Sequence, residues 1–199
     1  MNLQEYFDQL APTWDKELTG EKLECLGNIV KELGIEPEYY VLDIGSGTGV
    51  LLPFLIAELG SEGRIVALDF SAEMLKQAKV KNSSPIVDFV QADVLAIPLA
   101  GNSVDIAICN SAFPHFNDKV RALKEIAKVL KNSGRLVICH TMSRDALNQL
   151  HQSIGGIVAN DILPYEFELR EMMKQAGLRV THFEDSPARY LIIAEKSPR

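Results

Sequence analysis

The sequence is poor in cysteine, and this excludes two classes of small domain. Only three cysteines occur among 199 residues. Cys25, Cys109 and Cys139 form no Cys-x-x-Cys pair, and their number is odd. A disulfide framework and a zinc ribbon both need paired, closely spaced cysteines. We therefore expect three small hydrophobic side chains in a reducing compartment, two of them inside apolar runs.

Basic residues and long apolar runs are also scarce. The chain has 20 Lys and Arg against 27 Asp and Glu, a net charge of -7. Nucleic acids and anionic membranes are bound by clustered cations, so neither is an expected partner. The apolar stretches are no longer than strands, and the acidic N-terminal segment contains no signal-peptide core. These features predict a cytoplasmic protein.

Short apolar runs alternate with helical patterns along the chain. Strands are predicted at Tyr39–Ile44, Arg64–Asp69, Val87–Val90, Val104–Asn110 and Gly134–His140, and helices at Val50–Leu59, Ser71–Lys81 and Lys119–Lys131. Strands that are apolar on both faces and separated by helices indicate a parallel sheet covered on both sides.

The C-terminal pattern differs from the rest. A helix at Tyr165–Ala176 precedes two strands, Leu178–Glu184 and Tyr190–Lys196, which are separated by a short turn that contains Pro187. Strands this close together should pair as an antiparallel hairpin. We therefore predict an α/β fold: a doubly wound, mostly parallel seven-stranded sheet with an antiparallel strand near its C-terminal end and helices on both faces. Residues 1–199 should form one domain.

The segment VLDIGSGTG, residues 41–49, places three glycines directly after the first predicted strand. Such a turn lets the backbone approach a ligand, and the following helix offers free N–H groups. A P-loop needs Lys and Ser or Thr after its last glycine, whereas Val50 and Leu51 follow here. A dinucleotide fingerprint matches at Gly45 and Gly47 but meets Val50 at the third glycine position. Nicotinamide dinucleotide binding therefore stays open on this pattern.

The same segment resembles the first motif of the class I methyltransferases that use S-adenosyl-L-methionine (SAM), in the form Asp-x-Gly-x-Gly-x-Gly. The segments ALDFS, QADVLAIPL, VDIAICNSAFPHF and LKNSGRLVIC resemble the family's following motifs in order. The likeness extends from Val41 to Lys196 and is greatest to the type 11 group that includes the ubiquinone and menaquinone methyltransferases. It implies SAM as the cofactor and S-adenosyl-L-homocysteine (SAH) as the product.

The resemblance also implies roles for individual residues. Asp43 would hold the ammonium group of SAM, Asp69 its ribose and Asp93 its adenine. The full implied cofactor set is Asp43, Gly45, Ser46, Gly47, Gly49, Asp69, Phe70, Met74, Asp93, Val94 and Asn110. For Asp93 the structural alternative is a cap on the turn before Pro98. Asp105 is expected to be structural, packed near the glycine turn.

Two candidate acceptor segments are aromatic. Tyr6–Trp14, within residues 1–20, resembles the lid helix of the family, with Tyr6 and Trp14 as substrate contacts; the alternative is an amphipathic helix packed on the core. After the fourth strand, Phe113 and Phe116 are expected to wall an apolar pocket. His115 between them is either a general base or a packing residue.

The third candidate segment is a substrate-side insertion, residues 140–164. Ser143 should cap a helix on which Arg144, Asn148 and His151 form a polar stripe and Leu147, Leu150 and Ile154 an apolar one. In one hypothesis the polar stripe faces the pocket, Arg144 and Asn148 bind the acceptor, and His140 or His151 is the base. In the other, the stripe is solvated. A metal site at His140, His151 and Asp161 matches no standard spacing, so no metal is predicted.

The function expected from these features is methyl transfer from SAM to a small-molecule acceptor. The chain is short and acidic, without an appended recognition domain, and the fourth-strand loop reads NSAF where base and amide methyltransferases have NPPY or DPPY. O- or C-methylation is therefore preferred, by a monomer or homodimer. The alternatives are an NAD-dependent dehydrogenase of the same architecture and a non-catalytic SAM-binding protein.

Overall fold

The computed structural model describes residues 1–197, which form seven strands and seven α-helices. The strands are β1 (Tyr40–Ile44), β2 (Arg64–Asp69), β3 (Val87–Gln91), β4 (Val104–Asn110), β5 (Leu130–His140), β6 (Leu178–Asp185) and β7 (Tyr190–Lys196). The helices are α1 (Leu3–Leu10), α2 (Gly20–Glu32), α3 (Leu52–Glu58), α4 (Ala72–Lys81), α5 (Lys119–Val129), α6 (Arg144–Ile154) and α7 (Glu166–Gln175). Short 3-10 helices cover Ala11–Glu17, Val94–Ala96, Phe113–His115 and Gly156–Val158.

The strands form one sheet in the order β3-β2-β1-β4-β5-β7-β6. Strands β1 to β5 pair in parallel, and β7 is antiparallel to both β5 and β6. The predicted doubly wound sheet and its C-terminal hairpin are confirmed. The chain order reverses between β1 and β4, and ligands of such sheets bind outside the carboxyl ends of the strands at this point.

Helices cover both faces of the sheet, and this explains why the strands are apolar throughout. Successive strand residues point to opposite faces. Val41 and Leu42 are both 0% exposed, yet Val41 packs in the core cluster that contains Leu26 and Leu55, and Leu42 in the cluster that contains Leu123 and Leu169. A parallel strand that is buried on both sides therefore does not need alternating polar and apolar residues.

Two predicted boundaries differ from the structure. The helix predicted to reach Lys131 ends at Val129, because Leu130 pairs in register with Val104 and starts β5 before the predicted glycine. The N-terminal helix ends at Leu10 and continues as a 3-10 helix, in which Pro12 lacks the N–H that an α-helix would use. Within residues 1–197, no helix has the length and apolar character needed to cross a membrane.

Candidate active site

The glycine turn links β1 to α3 in a conformation that side chains disfavour. Gly45, Gly47 and Gly49 have φ angles of +66°, +54° and +80°. A Cβ on Gly45 would lie 2.4 Å from the Cβ of Ala112, in the loop after β4. Glycine is therefore required here both by the backbone angle and by the close approach of the neighbouring loop.

A cavity of about 880 Å³ opens beside this turn, at the carboxyl ends of β1, β2 and β4. Its size is in the range of small-molecule sites, roughly 300–1,000 Å³. The N-terminal helices and α6 close its other sides. Every residue of the implied cofactor set except Gly49 lines it: Asp43, Gly45, Ser46, Gly47, Asp69, Phe70, Met74, Asp93, Val94 and Asn110.

Gly49 has a different place in the structure. A Cβ at this position would lie 2.9 Å from Nδ2 of Asn82 and 3.1 Å from Cβ of Ala78. The missing side chain of Gly49 therefore lets the turn approach α4, and its predicted cofactor contact stays a prediction.

Asp43, at the end of β1, is a buried carboxylate with an unused oxygen. The residue is 1% exposed, and Oδ2 has no hydrogen-bond partner among residues 1–197. Burial, assisted by the nearby negative charge of Asp69, raises the pKa of Asp43 to about 7. Such an oxygen is stabilised by a cationic hydrogen-bond donor from a ligand.

Asp69, at the end of β2, ties the glycine turn to the sheet. Its Oδ2 accepts a hydrogen bond from the amide of Gly47 at 2.8 Å, and its Oδ1 accepts one from the amide of Ser71 at 2.8 Å. Burial raises the pKa of Asp69, while these amides act in the opposite direction. The amide of Phe70 acts on the carboxylate in the same direction, and with four lone pairs on its two oxygens the carboxylate can still accept a bond from a ligand hydroxyl.

Asp93 and Asp105 are the two other acids for which the sequence predicts a role. Asp93 lines the cavity and its Oδ1 accepts a hydrogen bond from the amide of Leu95 at 2.8 Å, so the wall position and the turn cap coexist. Asp105 accepts a bond from the amide of Tyr40 at 2.9 Å and pairs with Lys131, as expected for a structural residue.

The N-terminal segment covers the cavity with aromatic side chains. Tyr6, Phe7 and Trp14 all line it. Phe7 is the centre of the group, with its ring centroid 5.7 Å from that of Trp14, 5.9 Å from Phe70 and 5.1 Å from His115. The segment is thus both a wall of the cavity and a packed part of the fold.

Two aspartates attach this segment to the cofactor side of the cavity. Asp8 accepts a hydrogen bond from the hydroxyl of Ser71, which follows β2. Asp15 accepts bonds from the hydroxyl of Thr48, in the glycine turn, and from Lys81 at the end of α4. Sequence reasoning missed both aspartates, because neither belongs to a recognisable motif.

Of the two hypotheses for helix α6, the one in which its polar stripe faces the cavity is corrected. Leu147, Leu150 and Ile154 line the cavity, whereas of the polar stripe only His151 does. The correction has a physical reason: the polar side chains are used to hold the segment between α6 and α7. Asn148 makes two hydrogen bonds to the backbone of Leu163, at 2.8 and 3.1 Å.

Arg144, the first residue of α6, is likewise engaged outside the cavity. Its guanidinium lies 3.7 Å from the ring centroid of Tyr165, and its Nε donates to the carbonyl of Pro164 at 3.2 Å. Phe113 is fully buried in the core and does not line the cavity, while Phe116 does. The predicted acceptor contacts of Arg144, Asn148 and Phe113 are therefore corrected to structural roles.

The three histidines proposed as bases fall into two groups. His115 and His151 line the cavity, with ring centroids 4.9 Å apart. His140 is 1% exposed, does not line the cavity, and neither ring nitrogen has a hydrogen-bond partner in the described part of the chain. Burial lowers the pKa of His140 to about 3, so it remains neutral. This location corrects the prediction of a catalytic His140.

Residues 1–197 contain no candidate metal cluster and no disulfide bond. No group of three or more His, Cys, Asp or Glu side chains is placed there to hold a metal ion. All three cysteines are free thiols, and Cys109 and Cys139 are buried at the centre of the sheet.

Comparison with known proteins assigns the chain to a family. The model of a methyltransferase domain matches residues 42–138. A ubiquinone/menaquinone biosynthesis C-methyltransferase of Enterobacter sp. is 30% identical, over 73% of this chain and 68% of its own length. The chain belongs to the class I SAM-dependent methyltransferases. A demethylmenaquinone methyltransferase of Lactiplantibacillus plantarum is 27% identical to this methyltransferase, over 92% of this chain and 90% of its own length.

Solved methyltransferase structures share the fold. A SAM-dependent methyltransferase from Aquifex aeolicus superposes with a TM-score of 0.73 over 98% of this chain and 100% of its own, at 24% identity. A chain from the complex between the Haloferax volcanii Trm112 methyltransferase activator and a methyltransferase superposes with a TM-score of 0.83, at 21% identity, over 96% and 98% of the two chains. At these identities the likeness concerns architecture alone.

The methyltransferase uses SAM as its cofactor, and the residues present fit that molecule. SAM carries a free ammonium and carboxylate at one end and a ribose diol near the other. The cavity offers a buried carboxylate oxygen without a partner on Asp43, a bare turn at Gly45 and Gly47, and the carboxylate of Asp69.

Proposed function

We propose that this enzyme transfers the methyl group of SAM to a small-molecule acceptor, at oxygen or carbon. The observation that carries the proposal is the buried, unpartnered Oδ2 of Asp43 beside the glycine turn, in a cavity that also has room for an acceptor. The names of two relatives specify demethylmenaquinone and ubiquinone/menaquinone biosynthesis, which supports a small-molecule acceptor rather than a macromolecule.

We assign each cofactor contact by charge and position. Asp43 binds the ammonium group, and the amides of the turn between Gly45 and Thr48 face the carboxylate. Asp69 accepts bonds from the ribose hydroxyls, because a carboxylate offers two acceptors to a cis-diol. Asp93 lines the cavity, and we assign its other carboxylate oxygen to the adenine amine.

The remaining cofactor contacts are apolar or amide groups. Phe70, Met74 and Val94 are the apolar neighbours of these acids, and they pack on the base and sugar. Asn110 ends β4 and is placed beside the methionine end, with Ser46 in the turn.

The acceptor side of the cavity is mainly apolar. We place the acceptor between Tyr6, Trp14 and Phe116 on one side and Leu147 and Leu150 on the other. SAM supplies a methyl group activated by a positively charged sulfur. The side chains around the acceptor orient it and exclude water, and such positioning contributes much of the rate of a displacement reaction.

Isothermal titration of the purified protein with SAH and with NAD tests the cofactor assignment. We expect SAH to bind and NAD to give no heat. Binding of NAD alone would favour the dehydrogenase. Incubation with labelled SAM and a metabolite extract then tests catalysis: formation of SAH and a labelled product supports the enzyme, and tight binding without turnover would favour a SAM-binding protein.

Three wider expectations belong to the same proposal. Residues 1–199 act as a single methyltransferase domain in the cytoplasm, with residues 1–20 as the lid and residues 140–164 as the substrate-side insertion. The protein works as a monomer or homodimer without nucleic acid or membrane partners, which light scattering and gel-shift experiments test.

A further inference from the structure

One residue holds both cavity histidines. Asp161 follows the 3-10 helix after α6, and its Oδ2 lies 2.7 Å from Nδ1 of His115. Its backbone carbonyl contacts Nδ1 of His151. A carboxylate and a carbonyl can only accept hydrogen bonds, so Nδ1 carries the proton in both rings. The same residue therefore sets the tautomer of two imidazoles that line the cavity.

This arrangement leaves Nε2 as the basic atom of each ring. Within residues 1–197, no hydrogen bond engages Nε2 of His115 or His151. Neither atom is fully buried, so both remain accessible. The edge-to-face ring of Phe7, 5.1 Å from that of His115, shields the imidazole from bulk water. A basic nitrogen is thus available on each of two rings that line the cavity.

The two histidines differ in what faces their protonated nitrogen. His115 has a carboxylate, which stabilises the imidazolium formed when Nε2 takes a proton. His151 has a neutral carbonyl, which gives less stabilisation to a charge. Because the rings are 4.9 Å apart, a second positive charge on His151 would be unfavourable.

We propose that Asp161 is a positioning residue that holds His115 as the general base for an acceptor bearing an aromatic hydroxyl group. This inference rests on the proposed function and names the substrate class of that site. An amine acceptor has a free lone pair once deprotonated by solvent, whereas an aromatic hydroxyl needs its proton removed to become a strong nucleophile at neutral pH.

The proton and electron balance is complete. The hydroxyl proton moves to Nε2 of His115, and the electron pair left on the oxygen forms the new bond to the methyl carbon. The sulfur–carbon bond of the donor breaks and its electron pair stays on sulfur. If the neighbouring ring carbon attacks instead, its proton moves to the oxygen through water and restores the hydroxyl. In both cases one proton remains on the imidazole and leaves to solvent.

The charged groups around His115 are consistent with a base that is neutral before reaction. Burial lowers the pKa of His115, and the Asp161 carboxylate acts in the opposite direction. His151 and Lys119 also face the ring and lower the pKa further. The ammonium of Lys119 donates hydrogen bonds to the carbonyls of Pro114 and Phe116, at 2.8 and 3.2 Å.

Nitrogen-15 NMR of the SAH-bound protein tests the dyad without turnover. The chain has only four histidines, and His115→Gln identifies the signal of interest. We expect His115 to carry its proton on Nδ1. Asp161→Asn should lower the pKa of His115 by a pH unit or more, because a charged acceptor is lost. Glu171→Gln, which likewise replaces a carboxylate by an amide but on an exposed part of α7, should leave the pKa of His115 unchanged. A proton on Nε2, or an unaltered pKa in Asp161→Asn, would overturn the proposal.

Kinetics with 1,4-dihydroxynaphthalene under anaerobic conditions test the acceptor class. We expect methylation of this probe and none of 1,4-dimethoxynaphthalene, which has no removable proton. Asp161→Asn should lower kcat about 100-fold, the lower end of general-base contributions. It should leave the KM for SAM unchanged and move the acidic limb of the pH profile to lower pH.

Two outcomes contradict the proposal, and both differ from a failure of the proposed function. Absence of transfer to the hydroxyl probe by the native enzyme would overturn the acceptor class. A fall in kcat with an unmoved pH profile would reduce Asp161 to a structural residue. Loss of SAH binding by the native protein, in contrast, would reject the methyltransferase function itself.

Discussion

The amide of Gly47 donates a hydrogen bond to Oδ2 of Asp69 at 2.8 Å, so one carboxylate closes the glycine turn and also faces the cavity. The residue at the end of β2 therefore has two tasks. It fixes the backbone of the turn, and we propose that it binds the ribose of SAM.

Asp69→Ala should weaken SAH binding about 10- to 100-fold, because hydrogen bonds to a charged group contribute about 1.5–3 kcal/mol. Isothermal titration measures the change. Asp88→Ala is a matched control on the neighbouring strand, since Asp88 is exposed and forms only a surface ion pair with Arg64. Equal affinity of Asp69→Ala and the native protein would remove Asp69 from the site.

Asp43 makes stability and affinity depend on pH. Its folded pKa of about 7 lies above the ordinary value of 3.8, so between these pH values the folded state binds more protons than the unfolded state. The contribution of this group to the unfolding free energy is therefore full below about pH 4 and is lost as the pH rises to about 7. Urea unfolding of the ligand-free protein at several pH values measures this slope.

Replacing Asp43 by Asn should flatten that slope. In the native protein SAH affinity should rise as the pH increases through 7, because the carboxylate must ionise to pair with an ammonium. Asp43→Asn should lose both the rise and most of the affinity. An unchanged pH dependence of SAH binding in this variant would contradict the assignment.

Gly45→Ala should destabilise the fold by about 2–4 kcal/mol, since about 1–2 kcal/mol comes from the left-handed backbone angle and the rest from the clash with Ala112. Gly34→Ala separates the two causes, because Gly34 has φ +56° and no atom within 4 Å of an added Cβ. Gly34→Ala should therefore lower the unfolding free energy only by the contribution of the backbone angle. The double variant Gly45→Ala, Ala112→Gly should recover the steric part, and failure to recover it would place the strain elsewhere.

Asn148→Ala should lower the unfolding free energy by about 1–3 kcal/mol, because the amide and carbonyl of buried Leu163 lose their partners. SAH affinity should remain unchanged, since Asn148 does not line the cavity. Gln149→Ala, one position along on the exposed surface of α6, should change neither quantity. A stable Asn148→Ala protein with impaired turnover would restore the predicted acceptor contact.

The sheet was predictable because its signals are local. A buried parallel strand is apolar throughout, and Asp43, Gly45 and Gly47 follow one another in a short motif. The boundary of β5 was missed because it depends on pairing with Val104, a long-range contact that helical periodicity does not contain.

The acceptor side was less predictable, since it depends on which surface a helix turns inward. Periodicity separates the polar and apolar stripes of α6, yet both are compatible with a cavity wall. The hydrogen bonds between Asn148 and Leu163, 15 residues away, decide which stripe faces the cavity. The contact between His115 and Asp161 spans 46 residues and no motif joins them. One signal for this contact is present in the sequence: His115 and Asp161 lie in two segments that were predicted to flank the same edge of the sheet.

Thr48 connects the two halves of the site, because it belongs to the glycine turn and its hydroxyl binds Asp15 of the aromatic N-terminal segment. The glycine turn and the segment that carries Trp14, one position before Asp15 in the chain, are thus joined by a direct hydrogen bond beside the cavity. A change at Thr48 should therefore disturb both walls of the cavity at once.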